Sequence, residues 1–544
     1  MSSQRNRPRY ATRATEPVVY SVLVMIGFGA VCVALNKIGL PEHYLTWGTF
    51  LVVVALTLWT ANTEWPARVT GFTTAGRSVS APNAATVQLM AISPAGLLAA
   101  YLSASEFRGV DLSLAIAIVG LAIGFSAIVI GVRLNRSGAY NIPDFLSGRF
   151  QSRLIGLLVA AAAAVPLFLM LCGQSIAFGM AVGPELGFST RTGTFLCIAL
   201  AFLLVCLSGM EGILRVSASC CAIMLVSGMS VYLFPIVIPI GVEAGSQPQA
   251  IQMLSSIASA AIPLFGENLP TDSELSVVVA YLICVAVGLA LTPVFMLSAP
   301  AMRSGFSVGR AGLASLVLIG TFAALLSGLG EVEMTRPETG IGGNQLFAMF
   351  PVIAIASTIP VTSAILLFGL SGLISHILLG IAARQTVPEN ARLLSQRLVI
   401  AILSIGAGWS ISEWGFVMLD FAAPAVFVTL AAVLPVSIAG MWWRRCGSLA
   451  ALTGIVAGAA AAIALLAAKQ GYLDPSFMVS GPNPVFEFLM SRPAWQAGAI
   501  GVLLGFVTIF AFSFVPHRPN EKSTAFVEGI QSDDGTPLLN QYAL

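Results

Sequence analysis

Charge is what this chain has least of. Only 9% of its 544 residues are Asp, Glu, Lys or Arg, against about 25% in ordinary globular proteins. Hydrophobic residues make up 57% and mean hydropathy is +0.90. No soluble domain of this length hides that much apolar surface, so composition places the chain in a lipid bilayer. The formal net charge is +2 with no long basic run, which removes nucleic acid as a partner. His43, His376 and His517 are the only histidines, which excludes a histidine-rich metal centre. The cysteines (32, 172, 197, 206, 220, 221, 284 and 446) nearly all lie inside apolar stretches with no paired spacing in a loop. They read as small packing residues, not disulfides or metal ligands. No nucleophile–base pair or phosphate loop stands in the sequence, so it gives an enzyme no support.

What is present is a succession of apolar runs. They fall at 18–35, 45–61, 83–104, 111–134, 154–182, 192–209, 212–240, 273–299, 308–330, 345–383, 396–414, 416–442, 447–468 and 496–515. At roughly 20 residues per crossing this predicts an all-α polytopic protein with about 14 transmembrane helices. No small-residue cleavage signal follows the first run, which therefore reads as an uncleaved anchor. The 345–383 run is too long for one perpendicular span and predicts a tilted or kinked helix. The 241–272 connection is long enough for an interfacial helix. Residues 1–16 form a basic tail and 516–544 a polar one. With the N-terminus inside, 20 of the 26 Lys and Arg fall on inside segments, and an even number of spans places both ends in the cytoplasm of a multi-pass cell-membrane protein.

Two runs carry more than hydrophobicity. In GFTTAGRSVSAPNAATVQLMAISPAGLLAAYLSA (71–104) the apolar stretch is interrupted by Ser93, Pro94, Ala95 and Gly96. Proline lacks the amide hydrogen and glycine loosens the turn. Backbone freed at membrane depth survives only inside protein or beside a water-filled cavity. Both a packing kink and the broken helix of a transport core fit these residues. In AIASTIPVTSAILLFGLSGLISH (354–376), Ala354, Ser357 and Thr358 fall at i, i+3 and i+4, on one helical face. Pro360 cannot bond back to the carbonyl of Ala356. Two hydroxyls and an exposed carbonyl make a neutral, hard oxygen cluster suited to sodium. Membrane hydroxyls also bond simply to their own backbone or to a neighbouring helix.

The order and spacing of several motifs resemble the sodium:solute symporter family, and within it the cation–acetate (monocarboxylate) permease branch, from about residue 45 to 515. AGRSVSAPNAA (75–85) resembles the lead-in to that branch's first core helix, and VRLNRSGAYNIPDFLSGRF (132–150) its cytoplasmic signature. Gln174 with Gly179, SGMEG (208–212), APAMR (299–303), the 354–376 stretch and PVSIAGMWWRRCGSLAALTGIVAG (435–458) match in turn.

The resemblance implies a five-plus-five inverted-repeat (LeuT-like) core at 83–442. Two flanking helices and a loop would precede it at 17–82, and two more helices follow at 443–515. The first, sixth and eighth core helices would lie at 83–104, 273–299 and 345–383. Sodium, the coupling ion and the only bound non-protein group expected, would meet the carbonyls of Leu89, Ile92 and Ala354 and the hydroxyls of Ser357 and Thr358. The substrate, a small organic anion such as acetate, propionate or pyruvate, would lie beside the breaks, with Ser93, Ala95 and Gln174 as contacts and Ala99 and Ala177 as small neighbours. The chain also departs from the family's pattern. Met90, Ser217 and Ile377 stand where polar or acidic residues are usual, the fifth-helix motif reads Arg215-Val216-Ser217, and Cys220 holds the next polar place. These losses leave a proton-coupled carrier of the same solutes and a non-transporting sensor or accessory protein open beside a sodium symporter. Arg215 stands either at the cytoplasmic end of its helix or facing an anionic substrate.

Overall fold

A computed structural model describes residues 15–62, 69–92, 120–237, 275–334, 354, 356–382, 389–469 and 495–514. In a bilayer the backbone must satisfy its own hydrogen bonds, and a helix does so within one segment. The chain accordingly builds α1 (Thr15–Lys37), α2 (Glu42–Ala61), α3 (Val69–Thr74), α4 (Ala81–Ile92), α5 (Val132–Ser137), α6 (Ile142–Phe150), α7 (Arg153–Val182) and α8 (Thr190–Val237). After these come α9 (Leu275–Ala290), α10 (Gly305–Met334), α11 (Ile359–Ala382), α12 (Glu389–Trp414), α13 (Ala422–Trp442), α14 (Ser448–Lys469) and α15 (Trp495–Ser513). Residues 120–131 lead helically into α5 through a π turn at Ala127–Gly131. Among the described residues there is no strand, only an isolated parallel bridge between Val79 and Met302. Eight described helices are long and apolar enough to span a membrane, and three shorter apolar helices accompany them. Every apolar run read from the sequence carries helix.

Two of those runs are not continuous, and a glycine parts two others, for reasons written in their residues. The expected sixth core helix at 273–299 is regular only to Ala290, and 291–302 is a buried succession of tight turns. Pro293 has no amide for the Leu289 carbonyl, and the Thr292 hydroxyl takes that carbonyl instead, at 2.6 Å. The expected eighth core helix starts in earnest at Ile359, after a turn at Ser357 and Thr358. Pro360 denies Ala356 its amide partner, and the Val361 amide closes a shorter ring onto the Thr358 carbonyl at 3.0 Å. Ser357 and Thr358 thus form a turn between helical Ala356 and the run from Ile359, not one unbroken helical face with Ala354. Finally, the 48 residues of α8 would reach about 72 Å if straight. Gly209, at φ 57° and ψ −145°, breaks them into two runs. Only glycine takes that geometry without strain, and a β-carbon there would stand 2.6 Å from the ring of buried Phe72.

The helices approach closely where glycines face one another. A β-carbon on Gly458 of α14 would lie 2.5 Å from the Ala431 carbonyl oxygen and 3.0 Å from that of Gly501, the small-residue packing expected between membrane helices. The DFLSGRF segment folds as α6, its start capped by the Asn141 side chain accepting the Asp144 amide hydrogen at 2.8 Å. Its Arg149 is fully buried and donates from Nε to the Gly440 carbonyl at 3.1 Å and from Nη2 to those of Trp443 (3.2 Å) and Cys446 (3.5 Å). A cation is thereby set at the C-terminal end of α13, where the helix dipole favours one.

Candidate functional site

The segments singled out in the sequence converge. α4 packs against both α11 and α8, and α7 packs along α11. The key contact joins the carbonyl end of α4 to the start of α11: Thr362 Oγ1 donates to the Met90 carbonyl at 2.8 Å, both residues fully buried. Sequence chemistry explains why that acceptor is open. A helical carbonyl bonds the amide four residues on, and four residues after Met90 stands Pro94, which has none. Thr362 lies one turn beyond Thr358, so the bond ties the run that follows the Ser357–Thr358 turn to the end of α4.

Of the residues proposed from sequence, Leu89 (1% exposed), Ala354 (0%), Ser357 (2%), Thr358 (0%) and Gln174 (5%) are all buried. Ile92 is the last described residue of α4, and Ser93, Ala95 and Ala99 lie outside the described residues. Ala354 packs with Met25, Val53 and Ile223, bringing α1, α2 and the second run of α8 against the approach to α11. Gln174 sits on α7 one turn before buried Ala177, which belongs to the same core cluster as Leu89 and Met90. Nearby, Cys197 Sγ and Ser363 Oγ are 3.5 Å apart. Arg215 pairs with Glu211 one turn earlier on α8, which accounts for its charge without an anionic solute. Among the described residues, no group of three His, Cys, Asp or Glu could hold a metal ion.

Residues that the sequence reading passed over hold the unwound 291–302 stretch in place. Gln88 Nε2 of α4 reaches the Phe295 carbonyl at 3.5 Å, and Asn135 Nδ2 of α5 donates to those of Ala299 (2.8 Å) and Met302 (3.0 Å). The Val79 amide donates to the Ala301 carbonyl at 3.1 Å. α4, its lead-in and α5 are therefore clasped to the unwound 291–302 stretch. The signal for Thr362 was available: a carbonyl orphaned by a proline in one run, and a threonine one turn past the hydroxyl pair in another. Gln88 and Asn135 gave no signal, because their partners are backbone carbonyls far away in sequence.

No protein-family model and no curated protein matches the chain. Among solved structures it is similar to a Na+-coupled sialic acid symporter in a substrate-bound outward-open state, with 13% identity over 88% of this chain and 99% of that one and a TM-score of 0.62. Mhp1, a nucleobase-cation-symport-1 family transporter in a closed conformation with bromovinylhydantoin bound, follows at 16% identity, 86% and 98% coverage and a TM-score of 0.49. A manganese transporter mutant from Eremococcus coleocola gives 12%, 83%, 99% and 0.46. The likeness to the first is one of fold: the chain is an all-α, polytopic membrane protein that shares that symporter's architecture.

Proposed function

We propose that the chain is a sodium-coupled symporter for a small organic anion of the monocarboxylate class, such as acetate, propionate or pyruvate. The observation that supports this reading is the Thr362–Met90 bond, which joins α4 to the start of α11, one turn past the Ser357–Thr358 hydroxyl pair. In the proposed site sodium is held by the carbonyls of Leu89, Ile92 and Ala354 and the hydroxyls of Ser357 and Thr358. Ser93, Ala95 and Gln174 are the proposed substrate contacts. The transport core occupies 83–442 between flanking helices at 17–82 and 443–515, in a cell membrane with both termini cytoplasmic.

The ion ties α4 to α11 and completes the pocket, so ion and solute bind with positive coupling. Rocking of the core then exposes both to the other side. Each positive charge carried inward gains about 2.3 kcal/mol per 100 mV. Coupling by sodium is favoured over coupling by protons, because the Ser357–Thr358 pair offers neutral oxygens that a sodium ion takes and a proton does not need. An anionic solute meets no buried carboxylate among the described residues.

Uptake of labelled acetate and pyruvate into proteoliposomes, with and without a sodium gradient, tests this reading. Sodium-driven uptake abolished by Ser357→Ala with Thr358→Ala is the expected result. Sodium-driven uptake that the double change leaves intact refutes the ion site, and uptake indifferent to sodium refutes the coupling.

A further inference from the structure

The end of the bundle where α4 begins also gathers positive charge from three segments far apart in sequence. α5 brings Arg133 and Arg136, the start of α10 brings Arg303 and Arg310, and the turn between α13 and α14 brings Arg444 and Arg445. They meet around α5. The Arg133 guanidinium carbon lies 4.0 Å from the ring centroid of Trp442. A β-carbon on Gly305 would stand 3.2 Å from Arg136 Nε. Arg303, Arg310, Arg444 and Arg445 are exposed and the other two half-buried. Segments 120–143, 299–330 and 421–469 contain no Asp or Glu at all. The acid next along the chain from α5, Asp144, accepts the Tyr140 amide hydrogen at 3.0 Å. The N-terminus of the 30-residue α10 adds a partial positive charge at the same place.

The surface beside these arginines is apolar and open. Phe306 is 70% exposed and lies under Arg310 at 4.5 Å, Phe125 is 64% exposed, and Ile128 and Trp442 are partly exposed too. Guanidinium groups laid on aromatic rings at the margin of exposed apolar helices mark headgroup depth. Arg133 uses one N–H on the Val129 carbonyl (2.7 Å) and one face on Trp442, leaving further donors of its fork. A phosphodiester matches such a fork, and an anionic leaflet supplies it.

We propose that the cleft between α5, the start of α10 and the end of α13 binds the headgroup of an anionic phospholipid, its acyl chains lying along the exposed face that carries Phe125 and Ile128. The full chain, released from detergent into the mass spectrometer after incubation with phosphatidylglycerol or phosphatidylcholine, tests this. Phosphatidylglycerol is expected to be retained at least about tenfold better. Arg133→Ala and Arg445→Ala should each lower that preference by about fivefold, the equivalent of about 1 kcal/mol per surface arginine. Arg191→Ala, at the far end of the bundle beyond α7, should leave it unchanged. Melting in phosphatidylcholine identifies any variant that fails to fold, and Arg445→Glu, on an exposed side chain, gives a second reading of the same charge. Equal retention of the two lipids, or a wild-type preference in folded Arg133→Ala and Arg445→Ala, overturns the proposal. So does displacement of phosphatidylglycerol by inorganic phosphate alone, which would make the site one for free anions.

Discussion

Thr362→Val takes away one hydroxyl and keeps the β-branched shape of the side chain. The lost donor sits 2.8 Å from the Met90 carbonyl at full burial, and Pro94 cannot replace it. A buried acceptor left without a partner costs about 1–3 kcal/mol. If the bond is made in the sodium-holding arrangement and lost when α4 and α11 part, the same energy appears as ion affinity, a weakening of about 5- to 150-fold. The sodium concentration for half-maximal uptake in proteoliposomes measures it, and the rise in melting temperature on adding sodium gives a second reading that needs no substrate. Thr362→Ser, which keeps the hydroxyl, should stay close to wild type in both. A folded Thr362→Val protein with wild-type sodium dependence in both assays would refute the claim that this contact reports on the ion site.

Two further changes test the frame around the site. Arg149→Met strips donors from the carbonyls of Gly440, Trp443 and Cys446 and should destabilise the protein by at least about 3 kcal/mol. Arg149→Lys should recover little, since an ammonium lacks the planar fork, and thermal melting in detergent reads both. Gly458→Val drives side-chain atoms toward the Ala431 carbonyl, so α14 must move off α13 and melting should fall by the equivalent of about 1–3 kcal/mol. Gly447→Ala, with nothing within 4 Å of the added carbon, should melt like wild type.

Apolar runs were legible because a bilayer demands about 20 apolar residues per crossing, and each of those runs carries helix. Pattern could not tell where a run stops being helical, since an unwound buried stretch such as 291–302 is as hydrophobic as a helix. The breaks inside runs are written more finely, in the missing amides of Pro293 and Pro360, whereas the break at Gly209 falls where one apolar run ends and the next begins. For the candidate site, the hydroxyl pair Ser357–Thr358 was readable, but its setting was not. An i, i+3, i+4 pattern assumes an unbroken helix, and the structure puts a turn there. Gln88, Asn135 and Arg149 act on carbonyls some 160 to 300 residues away in sequence, so nothing in their neighbourhoods announces a partner. Buried Arg149 looked like one more positive residue of an inside loop.

The bridge between Val79 and Met302, with Gln88 and Asn135 laid across the same strip, gives the protein a pair of leaves latched edge to edge. The two are held by hydrogen bonds to backbone carbonyls, so Asn135→Ala, which removes two of them, should lower the melting temperature whether or not any solute is bound.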